Sequence, residues 1–236
     1  MEFELTLIRH GETEYNKEGL MQGQLDIPLS NEGLLQARAL GLALTGTTWS
    51  ECWSSDLKRA CQTANFLLAG DSDRMVETHV SKPLSSGLQI DTRLRERRYG
   101  VAEGKSLAHL KLLANNAGVK AHHFVPPGGE TLEEVRERAI SFLLDLCARQ
   151  MLIKQTIAPR SSVLLVSHGG WLKELMEYLC SCAGVGVADK RRSGVKCPNC
   201  AIFKFTLRLG YDGKIVEVKC LSINDVSHLS NYSAIK

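Results

Sequence analysis

Val163-Leu164-Leu165-Val166 is an uninterrupted apolar run that ends in Ser167-His168-Gly169-Gly170. A strand that is apolar at every position must be covered on both faces. Cover on both faces calls for helices above and below a sheet, the layering of parallel α/β proteins. The first run of the chain, Phe3-Glu4-Leu5-Thr6-Leu7-Ile8, reads as a second strand, with Phe3, Leu5 and Leu7 on one face. It ends in Arg9-His10-Gly11-Glu12. Two strands therefore finish in a histidine followed by glycine. Ligands of open α/β sheets sit at strand ends, so His10 and His168 can share one sheet edge although they are far apart in sequence.

The remaining pattern fits that class. Thr13 to Leu29 is polar and reads as loop, and Ser30 caps a helix through about Leu44. Cys52-Trp53-Ser54 reads as a strand end. Asp56 then caps a helix with Leu57, Ala60, Ala64 and Leu67 at helical spacing. Thr131-Leu132-Glu133-Glu134 is a capping box, and it opens a helix with Val135, Ala139, Phe142 and Leu146 on one stripe. A further helix follows Ser167-His168-Gly169-Gly170 and runs through Leu179. The tail holds two strand-like runs, Ile202 to Leu209 and Lys214 to Val218, with Asp212-Gly213 turning between them. The expected fold is α/β, a mainly parallel central sheet flanked by helices. It forms a single domain over residues 1–236, with an insertion packed over the core at about 81–127 that includes a helix from Leu107 to Ala117.

Composition narrows the function. A length of 236 residues with 44% hydrophobic residues suits one sizeable core. The net charge of +3 and the lack of a long basic tract point away from nucleic acid and from membrane surfaces, and Lys190-Arg191-Arg192 reads as a solvated loop. No signal peptide and no apolar run of roughly 18 residues is visible, so a soluble, cytoplasmic protein is expected. Eight cysteines without a secretory signal read as reduced thiols. Cys197-Pro198-Asn199-Cys200 has metal spacing but no second such pair, so no metal and no cofactor is expected.

The strand-end histidines suggest phosphoryl transfer. An imidazole can attack phosphorus, arginines can hold phosphoryl oxygens, and a carboxyl group must protonate the departing alkoxide. Arg9 is adjacent to His10, and Arg59 lies one turn into the helix after Ser55-Asp56. The acid candidate is Glu96, within Leu94-Arg95-Glu96-Arg97-Arg98-Tyr99-Gly100. Gly100-Val101-Ala102-Glu103-Gly104-Lys105-Ser106 imitates a P-loop, but it is one residue short and no clear buried strand precedes it. Nucleotide binding there is rejected, which leaves Lys105 as an aid to an anionic site.

Taken together these residues resemble the histidine phosphatase superfamily, in its phosphoglycerate mutase-like branch. The matching segments are Leu7 to Thr13 with Asn16, Gln22-Gly23, Pro28-Leu29-Ser30, Ser54 to Ala64, Leu94 to Gly104, Pro127 to Thr131 and Val166 to Gly169. Asn199 stands in the usual loop. Arg93 to Val101, Glu103-Gly104-Lys105 and Pro126 to Thr131 are most similar to the TIGAR-type fructose-2,6-bisphosphatases. The resemblance implies His10 as phosphorylated nucleophile, Glu96 as proton donor, and Arg9, Arg59 and His168 as the phosphoryl pocket. It implies Asn16, Gln22, Gly23, Tyr99 and Lys105 as substrate contacts. The implied substrate is a small phosphorylated sugar or glycerate, foremost the 2-phosphate of fructose 2,6-bisphosphate, whose removal lowers glycolytic flux. Mutases of the family carry an Arg-Arg pair in the insertion. Here His109 to Val125 has Lys111, Lys120, His122 and His123 and no arginine, which favours phosphatase over mutase. A 2,3-bisphosphoglycerate phosphatase or mutase and a non-catalytic phospho-ligand-binding protein are the alternatives.

Overall fold

The computed structural model describes residues 1–69, 87–121, 123–152, 161–182 and 197–230. The Lys190-Arg191-Arg192 cluster, residues 81–86 and His122 lie outside the described residues.

Strands β1 (Glu2–Arg9), β2 (Glu51–Ser54), β3 (Leu88–Ile90), β4 (Ser161–Ser167), β5 (Ile202–Leu209) and β6 (Ile215–Asp225) form one sheet in the order β3-β2-β4-β1-β5-β6. The first four are mutually parallel, and β5 and β6 add an antiparallel hairpin at one edge. Helices α2 (Asn31–Ala43) and α3 (Lys58–Ala69) supply Leu40, Ala60, Ala64 and Leu67 to one face, where Ile8, Leu164 and Val166 meet them. Helices α5 (Leu132–Leu152) and α6 (Gly169–Ser181) cover the other face, packing Phe142, Leu146, Trp171 and Leu175 on Leu5, Leu7, Val163 and Leu165. The Val163–Val166 run is thus split between the two cores, as a strand apolar at every position requires.

Register places the site. Ile8 pairs with Val166 and Arg9 with Ser167, so the next residues, His10 and His168, leave the sheet side by side. The His10 N–H still donates to the Ser167 carbonyl at 3.0 Å. Ser54 also pairs with Val166, which brings the start of α3 and Arg59 to the same edge.

The structure differs from the sequence expectation in four places, one of them β6, which runs on to Asp225, well past Val218. The Thr13–Leu29 loop contains a short helix, α1 (Glu14–Lys17), closed by a capping box between Thr13 and Asn16. One turn is too short to show helical periodicity. Asp56 does not cap α3; its carboxylate takes Arg95, while the Lys58 N–H donates to Asp26 Oδ1 at 2.7 Å. The stretch from about 81 to 127 is not wholly an insertion, because β3 belongs to the central sheet. Beyond β3 the chain has only 3₁₀ turns at Thr92–Leu94 and Gly100–Ala102 before α4 (Leu107–Asn116), which buries only Leu110 and Ala114.

Candidate active site

His10 is buried, and its tautomer is fixed locally. Nδ1 lies 2.7 Å from the Gly11 carbonyl. A carbonyl only accepts, so Nδ1 carries the proton and Nε2 keeps its lone pair. Burial first, then Arg59 and Arg9, hold the imidazole well below its ordinary pKa, and the Gly11 bond opposes them. The result is a neutral, nucleophilic nitrogen. Asn199 Nδ2 donates to the His10 carbonyl at 3.0 Å and to Asn16 Oδ1 at 3.1 Å, tying the His10 loop to α1.

His168 faces His10 with ring centroids 5.1 Å apart. Arg59 Nε donates to His168 Nδ1 at 3.2 Å. A guanidinium cannot accept, so the proton of neutral His168 sits on Nε2. That Nε2–H is buried and has no partner among the described residues; Arg9 Nε is in the same condition. Buried donors without acceptors are costly. Two of them beside a bare imidazole nitrogen form a cradle for an anion. Burial, then Arg59 and His10, also hold His168 well below the usual histidine pKa.

Arg59 is fully buried. Its NH1 and NH2 donate to the carbonyls of Leu25 at 2.7 Å and Gly23 at 2.8 Å. Burial pulls its pKa down to about 10, against the pull of Glu96 and Asp26. It remains a cation at neutral pH, with no carboxylate in ion-pair contact among the described residues. Thr63, one turn further along α3, accepts from the Gly11 N–H and donates to the Arg59 carbonyl. Arg9 is anchored by donating to the Cys197 carbonyl.

Glu96 is held at the N-terminus of α6. Its Oε1 accepts from the N–H groups of Arg97 at 2.8 Å and Trp171 at 3.2 Å, and Oε2 from Gly170 at 3.0 Å. Oε2 takes one donor only, which leaves a lone pair for a proton shared with a leaving oxygen. Gly170 is required for this approach, because a Cβ there would stand 2.5 Å from Oε1. Gly170→Ala is expected to displace the flexible carboxylate rather than the backbone. Turnover should fall about 10- to 100-fold while the melting temperature barely moves; kcat and a thermal melt measure both.

The sequence-predicted substrate contacts divide. Tyr99 lines a cavity of about 430 Å³ beside Gly170, under the Arg97 guanidinium 5.2 Å from its ring. Gln22 is buried with Oε1 unpartnered among the described residues. Gly23 contributes its carbonyl to Arg59 rather than a free group, and Asn16 Oδ1 is taken up by Thr13 and Asn199. Lys105 is exposed and outside the cavity lining. Sequence reasoning missed Thr63, Gln24 and Arg138. Gln24 Nε2 donates to the Glu96 carbonyl at 3.2 Å. Bonds of this kind to main-chain carbonyls leave no motif.

The depressed histidines make stability depend on pH. Held neutral, they leave the folded protein with fewer bound protons than the unfolded chain below about pH 6.5. Their contribution is full above that pH and is lost as pH falls, by up to about 1.4 kcal/mol per pH unit for each histidine. Urea melts of the wild type and His168→Asn between about pH 7.5 and 5.5 should give a shallower slope for the variant; equal slopes contradict the assignment.

Residues 5–219 match the family model of the histidine phosphatase superfamily (branch 1), and the chain belongs to that superfamily. It is 35% identical to "Fructose-2,6-bisphosphatase TIGAR" of Xenopus tropicalis, across 98% of this chain and 96% of the relative. It is 36% identical to "Glucosyl-3-phosphoglycerate phosphatase" of Mycolicibacterium vanbaalenii, across 74% of this chain and 73% of the relative. The solved native structure of mycobacterial glucosyl-3-phosphoglycerate phosphatase superposes with a TM-score of 0.74 at 27% identity, covering 95% of this chain and 99% of that one.

Proposed function

We propose that this chain is a cytoplasmic phosphatase that hydrolyses the 2-phosphate of fructose 2,6-bisphosphate through a phosphohistidine on His10. The observation that carries the reading is the pairing of a bare His10 Nε2 with the unpartnered Nε2–H of His168 and Nε–H of Arg9.

In the first step His10 Nε2 attacks phosphorus in line. The phosphorus–oxygen bond to the sugar breaks, and Glu96 gives its proton to the leaving oxygen, releasing fructose 6-phosphate. In the second step water attacks the phosphohistidine. Glu96, now a carboxylate, takes a proton from that water, inorganic phosphate leaves, and His10 is regenerated. Arg9, Arg59 and His168 hold the equatorial oxygens, the electrostatic term on which phosphoryl transfer chiefly depends.

The substrate assignment draws on the identity to the TIGAR relative and on the cavity. Its volume is that of a small-molecule site. Leu110, Val135 and the Tyr99 ring give it apolar walls, and Arg97, Lys111 and Lys173 give it three cations. The one carboxylate among its described lining residues, Glu174, is paired with Arg136 at 2.8 Å. That balance suits a sugar leaving group carrying a second phosphate. In a panel of fructose 2,6-bisphosphate, 2,3-bisphosphoglycerate and phosphoenolpyruvate, kcat/KM should be highest for the first, with fructose 6-phosphate and phosphate as products. A preference for 2,3-bisphosphoglycerate, or phosphate passed to a glycerate, contradicts the reading.

A further inference from the structure

We infer that Arg138 of α5 is the positioning residue for the proton donor, fixing the height of the Glu96 carboxylate over the leaving oxygen. The inference rests on the reading of Glu96 as general acid.

Arg138 has five N–H groups, and the structure uses five hydrogen bonds. NH1 donates to the carbonyls of Arg93 at 2.7 Å and Arg95 at 2.5 Å. NH2 donates to the Glu96 carbonyl at 3.0 Å and Glu130 Oε2 at 3.2 Å, and Nε donates to Glu130 Oε1 at 3.1 Å. The side chain is 16% exposed. Three main-chain carbonyls of one short loop therefore point inward at one guanidinium. That convergence brings three partial negative charges together, and only a planar cation with several donors satisfies it.

The loop needs such an anchor. Glu96 stands between a 3₁₀ turn at Thr92–Leu94 and another at Gly100–Ala102, so no ladder or helix fixes its backbone. Its carboxylate is bound by the first turn of α6, and α5 packs directly against α6. Arg138 thus ties the backbone of Glu96 to the same helix pair that holds its carboxylate. Glu130 completes the brace by also accepting from the Arg98 N–H at 2.7 Å. Two anchors, one at each end of the Glu96 side chain, fix the acid to within the tolerance that proton transfer demands.

A positioning role predicts a dependence on the leaving group that a merely structural role lacks. An alkoxide needs the acid's proton, whereas p-nitrophenolate is a weak base and leaves without it. Phosphoenzyme formation is followed by rapid quench in Arg138→Lys, Arg138→Gln and Glu96→Gln, with fructose 2,6-bisphosphate and with p-nitrophenyl phosphate. The Arg138 variants should be about 10- to 100-fold slower with the sugar phosphate and within about 3-fold of wild type with the aryl phosphate, with KM little changed. Arg138→Lys, which keeps the charge without the fork, should recover part of the loss. Glu130→Gln keeps the fold and weakens the same brace; it should show a smaller loss of the same selectivity, and it decides the matter if the Arg138 variants do not fold. Equal losses with both substrates, or no loss, while Glu96→Gln remains selective, overturn the positioning role alone. A Glu96→Gln variant without selectivity overturns the acid assignment and this inference with it.

Discussion

His10→Ala is expected to lose at least about 10⁴-fold in kcat/KM, the largest effect of any single substitution in this chain. The reason is chemical rather than structural. His10 supplies the only nitrogen at the sheet edge whose lone pair is open and whose other nitrogen is tied to a carbonyl, among the described residues. His168 cannot replace it, because Arg59 occupies its Nδ1 and leaves only a donor. The cations Arg9 and Arg59 remain in the variant, so it should still bind inorganic phosphate or vanadate and be stabilised by them. Activity within about 100-fold of wild type, measured after removal of contaminating phosphatases, contradicts the assignment.

Arg59→Met is expected to cost about 10²- to 10³-fold in kcat/KM, the scale for losing one fixed donor to the transition state. The fold should survive. Substitution leaves the Gly23 and Leu25 carbonyls and His168 Nδ1 without their donor, at about 1–3 kcal/mol for each such buried group. It also removes a cation whose burial is unfavourable and pulls its pKa down to about 10. The two effects partly offset one another. The variant should also lose most of the thermal stabilisation that vanadate gives the wild type. Arg59→Lys keeps the charge but cannot reach three acceptors, so its loss should be intermediate. A loss below about 10-fold, or full vanadate protection of Arg59→Met, contradicts this account.

Much of the fold was legible because burial leaves a pattern. Val163 to Val166 had to be a central strand, and register then carried His168 to His10. Arg59 was legible because it stands one helical turn beyond a strand end. The brace around Glu96 was not legible. Arg138 lies on the same helix as Arg136 and Arg149, and nothing in the sequence marks it as the one that turns inward onto three carbonyls. Asp56 loses its expected place at the start of α3 to Asp26 for a related reason. A cap side chain is chosen by which carboxylate lies closest in space, and Arg95 claims Asp56 first. β3 escaped notice because three residues, of which only Leu88 is buried, carry too little periodicity to read.

The central claim is covalent chemistry at His10, and trapping the intermediate tests it most directly. Fructose 2,6-bisphosphate labelled at the 2-phosphate is mixed with enzyme, quenched within one turnover in alkali, and the labelled peptide is sequenced by mass spectrometry. The account predicts a phosphoryl group on His10, stable to alkali and labile to acid, formed and discharged fast enough to lie on the path of turnover. Label on another residue, or turnover without any trapped label in wild type while substrate is consumed, contradicts it.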